Sequence, residues 1–329
     1  MRISVVLCTC NGQTFLPRQL RSLADQDRRP DELVVFDDAS TDESDAIVRR
    51  FAQTAPFDVR VHIQPGRVGV MRNFAAAIGA ASGEMIACCD QDDVWHPEKL
   101  ARAEEALGTA QNGSPAADLV FSDAELVDEQ LRPLGRRLWE SIGFCASKRR
   151  IAEEGRLWEV LIRFNAVTGA GMAFRGSWRN LLLPIPNGWM YDAWIGLMLA
   201  IVGRCKLIDE PLWSYRRHAT QQIGPGPDSL AAKIAAARRM DQSYFQVMAA
   251  NFLAVVDRLG QRPIDLTIAA RLRDKINHCQ ARAAMRGAGG ERVGRIAGEL
   301  FSGRYHQCAL GWQSAAQDIF LAQAPLAKA

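Results

Sequence analysis

Four short apolar runs mark the N-terminal part of this chain, at residues 3–8, 33–36, 59–63 and 85–89, and helical spacing fills the gaps between them. Runs that are apolar at consecutive positions suit strands buried on both faces, the condition of a parallel sheet. Between them, Phe15, Leu16, Gln19, Leu20 and Leu23 recur at three and four. Ser40-Thr41-Asp42-Glu43 has the form of a capping box ahead of Ile47, Val48 and Phe51. A third helix is expected over 68–80, and a fourth from Pro97, a residue suited to a first helical turn. Strand and helix in this alternation predict a parallel α/β sheet. Further strands are expected at 119–122, 169–174, 207–208 and 212–215, with a helix over 191–202.

Gly224-Pro225-Gly226-Pro227 breaks the pattern. Beyond it, residues 230–259 and 266–285 are rich in Ala, Arg and Leu at helical spacing, so the expected division is an α/β domain over 1–226 and a helical region over 227–329. Charge divides in the same place. From Asp228 onward 14 Lys+Arg stand against 8 Asp+Glu, which leaves 26 against 29 of the totals of 40 and 37. Arg271, Arg273, Lys275, Arg282, Arg286, Arg292 and Arg295 supply much of that basic balance. Two readings stand: peripheral docking on an anionic membrane surface, or a solvated arginine face on helices packed elsewhere. Nucleic acid is not an expected partner, because the excess is modest and no recognition motif accompanies it.

The eight cysteines form no framework. Cys8, Cys10, Cys88 and Cys89 could in principle hold a metal, but C-x-C with C-C is not the usual spacing. As small buried residues they fit a reducing compartment, so a cytoplasmic location is expected, with any membrane contact made from the surface. No signal-peptide pattern is visible at Met1, and residues 193–203, the longest apolar run, fall short of the ~20 residues that a membrane span needs.

Ligands of open parallel sheets bind beyond the carboxyl ends of the strands. Those ends carry Thr9-Cys10-Asn11-Gly12, Asp37-Asp38-Ala39-Ser40-Thr41-Asp42 and Asp90-Gln91-Asp92-Asp93. In an extended segment Asp90 and Asp92 share a face. Carboxylates so close repel unless one is protonated or a cation is shared, and oxygen ligands of this kind suit Mg2+ or Mn2+ beside a diphosphate. The alternative is a solvated acidic turn capping the next helix. Asp37 and Asp38 are expected to be free for a base or ribose, since Ser40 and Glu43 can serve the cap. A dinucleotide-binding G-x-G-x-x-G is absent after the first strand, as is a P-loop.

Taken together these motifs resemble glycosyltransferase family 2 enzymes of GT-A fold. The resemblance rests on Thr9-x-Asn11-Gly12, on residues 37–42, on Gly69 with Arg72-Asn73, on Gly83-Glu84, and above all on Asp90-Gln91-Asp92-Asp93-Val94-Trp95 followed by Pro97 and Lys99. It covers roughly residues 1–220, and this form of the D-x-D motif resembles the branch that includes bacterial rhamnosyltransferases. The fold it implies is α/β: a Rossmann-like, mostly parallel sheet flanked by helices, with an α-helical C-terminal extension.

The resemblance also implies roles. Thr9, Asn11, Asp38, Arg72, Asp90 and Gln91 would hold the nucleotide-sugar donor, and Asp92 with His218 the Mg2+ or Mn2+. Asp192 would be the catalytic base, although His often precedes that Asp and here Tyr191 does. Trp189, Tyr191 and Trp194 would line the acceptor site. Thr168-Gly169 and Tyr215-Arg216-Arg217-His218 resemble two further segments near donor and acceptor. The implied activity is inverting, metal-dependent transfer to a saccharide or lipid-linked acceptor in bacterial surface polysaccharide biosynthesis, with dTDP-L-rhamnose as the leading donor. A UDP-hexose donor is the alternative within the class; a catalytically silent nucleotide-sugar binder is the alternative outside it.

Overall fold

The structure is a computed structural model that describes residues 1–108, 116–219, 221, 240–285 and 290–320. The chain divides into two compact units, one of Met1–Leu157, Ala166–Ile185 and Trp189–Gly224, the other of Trp158–Asn165, Pro186–Gly188 and Pro225–Ala329.

The first unit is built on a nine-stranded sheet. Its N-terminal half runs β1 (Ile3–Thr9), α1 (Leu16–Ala24), β2 (Glu32–Asp37), α2 (Ser44–Ala52), β3 (Asp58–Ile63), α3 (Val70–Ala80) and β4 (Met85–Asp90). Then come β5 (Val94–Trp95), α4 (Lys99–Leu107), β6 (Leu119–Val127), β7 (Pro133–Arg137), β8 (Met172–Arg175), α5 (Tyr191–Val202) and β9 (Cys205–Arg216), with shorter helical turns between β7 and α5. The sheet order is β3-β2-β1-β4-β8-β6-β9-β5, with β7 on β6. β1, β2, β3 and β4 pair in parallel and so do β6 and β9, while β8, β5 and β7 run against their neighbours. The central strands are apolar on consecutive positions because both faces are covered: Val5, Val6, Leu7, Leu33, Val34, Val35 and Ile86 are all buried. Burying a side chain of this size contributes roughly 1.5–3 kcal/mol.

Several local expectations need correction. The segment Ser40–Glu43 is not a capping box: α2 starts at Ser44, and the Ser40 hydroxyl donates to Asp37 at 2.6 Å. Asp42 serves the turn instead, accepting from the Ser44 backbone N–H and hydroxyl at 3.0 and 2.6 Å. α4 begins at Lys99, two residues past Pro97. Residues 169–171 form a 3-10 turn before β8. The two short strands expected around Pro211 are one strand, β9, whose register against β6 shifts near Asp123 and Pro211 and so absorbs the proline. β5 and β7 carried no apolar run and were not expected; the burial pattern of β7 is exposed throughout.

In the second unit α6 (Gln242–Leu259) and α7 (Leu266–Ala283) are capped by Asp241 and Asp265, which accept from Tyr244 N and Thr267 N at 3.0 and 2.6 Å. The helices Gly290–Phe301, Arg304–Cys308 and Trp312–Phe320 follow. The Gly-Pro breaker at 224–227 and residues 230–239 of the expected helix lie outside the described residues. The basic residues do not form one solvated face. Arg282 makes two bonds of 2.7 Å to Asp318, Lys275 donates to the Cys308 carbonyl at 2.7 Å, and Arg292 donates to the Asp318 carbonyl. Those three cations are buried and spent on internal acceptors, which leaves Arg273 and Arg295 exposed; Arg286 lies outside the described residues. No helix among the described residues is long and apolar enough to cross a membrane.

Candidate active site

The parallel register brings the polar strand ends together: Thr9 pairs with Asp37, and Cys8 with Asp90. A cavity of about 530 Å³ opens at this edge, within the range usual for small-molecule sites. Thr9, Asn11, Asp38, Asp90, Gln91, Asp92, Tyr191, Asp192 and His218 all line it. Arg72 does not; it is exposed, and Arg67 lines the cavity instead. Nor do Trp189 and Trp194. Trp194 is 0% exposed and its indole N–H donates to the Leu182 carbonyl at 2.8 Å, with Trp189 packed at 5.8 Å between ring centroids. Both tryptophans belong to the packing around α5.

Asp37 and Asp38 are not free. Asp37 accepts from Thr9 Oγ1 at 2.7 Å and from the Ser40 backbone N–H at 2.7 Å. Asp38 accepts from the backbone N–H groups of Val68 and Gly69 at 2.6 and 2.9 Å, and Gly69 takes φ of 86° there, a region that favours glycine. Asp38 therefore fixes the segment that carries Arg67 to the cavity. The sequence signal was its position just before the Gly69 turn.

Gln91 is a strut between strand ends. Its Oε1 accepts from Cys10 N at 2.8 Å and its Nε2 donates to the Cys10 carbonyl at 3.1 Å. Asn11 accepts the Thr41 backbone N–H at 2.9 Å. The ends of β1, β2 and β4 are thus joined before any ligand arrives.

Burial, followed by repulsion from Asp92 and Asp192, pushes the Asp90 carboxyl up to about 8, against a hydrogen bond from Tyr191 that favours its ionised form. Tyr191 stacks on Phe74 with ring centroids 3.9 Å apart. Asp192, 8% exposed, opens α5 and accepts the Ala193 backbone N–H at 2.6 Å. α5 carries no other charge, so it is buried nearly all round and holds this acid on a rigid element.

His218 Nε2 lies 2.9 Å from Asp92 Oδ2. Nitrogen and carboxylate donors suit Mn2+, and Mg2+ or Mn2+ held by few protein ligands completes its shell with phosphate oxygens and water. Among the described residues no group of three or more His, Cys, Asp or Glu side chains is disposed to hold a metal. The pair therefore fits a cation shared with a substrate diphosphate rather than a closed structural site. The described cysteines are unbridged, and those in β1 and β4 are strand residues.

The sheet is mixed rather than mostly parallel, because β8, β5 and β7 each pair antiparallel. Such a sheet flanked by helices, with an acid-lined cavity at the carboxyl ends of its parallel strands, is the GT-A class of glycosyltransferase fold. Residues 4–172 match the model of Glycosyl transferase family 2, and the chain belongs to that family. An uncharacterized glycosyltransferase of Nostoc sp. is 29% identical over 223 residues, 66% of this chain and 65% of that protein. The chain thus spans under two thirds of the length of that relative. Staphylococcus aureus TarS 1–349, solved with UDP-GlcNAc, superposes with TM-score 0.58 at 18% identity, covering 90% of this chain and 72% of that one. The mannosyltransferase PcManGT of Pyrobaculum calidifontis, solved with GDP-Man and Mn2+, gives TM-score 0.54 at 18% identity over 97% and 84%.

Proposed function

We propose that this chain is an inverting, metal-dependent glycosyltransferase that moves a sugar from a nucleotide-sugar donor to a saccharide or lipid-linked acceptor in surface polysaccharide biosynthesis. The observation that carries the reading is the meeting of Asp92 with His218 and of Asp90 with Asp192 in one cavity. Arg67, at the rim, suits the donor diphosphate. Asp192 takes the proton of the acceptor hydroxyl as its oxygen attacks the anomeric carbon. The bond from that carbon to the diphosphate oxygen breaks, its electron pair leaves with the nucleoside diphosphate, and the anomeric centre inverts. Asp92 and His218 would hold the divalent ion, which when bound offsets the charge of the leaving diphosphate.

The D-x-D form supports dTDP-L-rhamnose as donor; the UDP-GlcNAc of the solved TarS neighbour keeps a UDP-hexose as the second reading. A silent binder would have no use for a carboxylate at Asp192 beside the donor acids. Nucleoside-diphosphate release is to be measured over a donor panel with crude lipid and oligosaccharide acceptors, alongside Asp92→Asn and Asp192→Asn. Release from one donor, abolished by chelator and in both variants, is expected. Tight donor binding with no release under any condition would mean the binder.

A further inference from the structure

Arg216 ends β9 and is 3% exposed. Its guanidinium donates from Nε to the Asp92 carbonyl at 2.6 Å and from Nη1 to the Glu129 carbonyl at 2.5 Å. Its backbone N–H donates to Asp93 Oδ1 at 3.1 Å. The ring of Phe15 lies 4.6 Å from the guanidinium and 4.6 Å from the His218 ring. Segments from the ends of β1, β4, β6 and β9 thus meet on one buried cation.

We infer that Arg216 and Asp93 form a two-point clamp that holds Asp92 and His218 at the spacing a divalent ion requires, which makes Arg216 a positioning residue for metal binding. This rests on the reading that Asp92 and His218 hold that ion. The clamp acts at both ligands. It fixes the main chain from which the Asp92 carboxylate projects, and it anchors the strand end two residues before His218. Burying a cation is costly, so shape alone would favour an apolar side chain here. A planar guanidinium can bond two carbonyls at a fixed angle, which the single ammonium of lysine cannot reproduce. Asp93 accepts the Arg216 backbone N–H as the second point of the clamp, and Phe15 supplies a common aromatic face for Arg216 and His218.

The test is calorimetric titration of the full chain with inorganic pyrophosphate, with and without Mn2+. The ratio of the two affinities isolates the metal from any general change in the fold. In the parent protein Mn2+ should strengthen binding, and Asp92→Asn should remove that gain. Arg216→Lys and Arg216→Gln should each reduce the gain at least tenfold while affinity for metal-free pyrophosphate changes less than twofold. Phe15→Leu, which leaves no buried charge unpaired, should reduce it at least threefold and decides the matter if the arginine variants do not fold. A full Mn2+ gain in folded Arg216→Lys or in Phe15→Leu, with the gain lost in Asp92→Asn, overturns the clamp and leaves the metal reading standing. Equal behaviour of the parent and Asp92→Asn overturns both.

Discussion

A Cβ built on Gly169 would lie 1.8 Å from the Tyr191 hydroxyl and 2.4 Å from its Cζ. No side chain fits at 169 while Tyr191 stacks on Phe74 and donates to Asp90. Tyr191 directly precedes Asp192, so moving the phenol disturbs the start of α5. Gly169→Ala is expected to lower kcat at least tenfold and to cost about 1–3 kcal/mol of stability, as overpacking does. Turnover and urea unfolding check this; a variant with parental kcat would show that the Tyr191 packing does not govern the base.

The contrast between Arg67 and Arg72 shows how far the sequence could be read. β1, β2 and β4 were legible because strands buried on both faces must be apolar on consecutive positions, and their polar ends identify themselves by contrast. β3, a partly exposed edge strand, was legible only from the alternation of Val59, Val61 and Ile63 with Arg60 and His62. α5 was legible to the residue because an uninterrupted apolar helix with one acid at its start has few alternatives. β5 and β7 were not, since neither carries an apolar run that distinguishes it from a loop. Arg67 and Arg72 both flank Gly69, and which one meets the cavity depends on the bonds that the Val68 and Gly69 backbone N–H groups donate to Asp38. Those bonds, like the Gln91 strut, are long-range geometry that a pattern of residue types does not contain. Trp194 was misplaced for a related reason: an indole reads alike whether it faces a sugar or a core.

That difference is directly testable. Arg67→Ala should raise the donor KM by about tenfold, the loss of roughly 1.4 kcal/mol expected for a charge-assisted contact. Arg72→Ala, on an exposed side chain away from the cavity, should change it less than twofold. Steady-state kinetics on the two variants suffices, and equal effects would count against Arg67 as the diphosphate contact.

Gly12 and Gln91 make a second pair. A Cβ on Gly12 would fall 2.2 Å from Gln91 Oε1, so Gly12→Ala must push the amide away from Cys10. Gly12→Ala and Gln91→Ala should each destabilise by about 1–2 kcal/mol, through the lost paired hydrogen bonds and the packing they fix. Because both act on one contact, the double variant should cost less than the sum of the singles. Strict additivity in denaturant unfolding would rule out the strut.

Lys99 gives a pH dependence with a defined sign. It is 4% exposed, with its ammonium 4.8 Å from the Trp95 ring centroid and 5.8 Å from that of Trp213. Burial pushes its pKa down to about 7, against weaker opposing effects from Cys89, Asp93 and Cys88. An unfolded lysine titrates near ~10.4. Between those values the unfolded chain binds a proton that the folded chain does not, so this residue's contribution to stability rises with pH from about 7 to about 10. Below about 7 both states are charged and the full cost of burying the cation remains. Lys99→Met should therefore be more stable than the parent near pH ~6, by more than ~1 kcal/mol, and the gap should shrink as pH approaches ~10. Urea unfolding at three pH values reads it out. A gap that widens with pH would mean that the ammonium is held by a partner that favours its charge, and the cost assigned to its burial would be wrong.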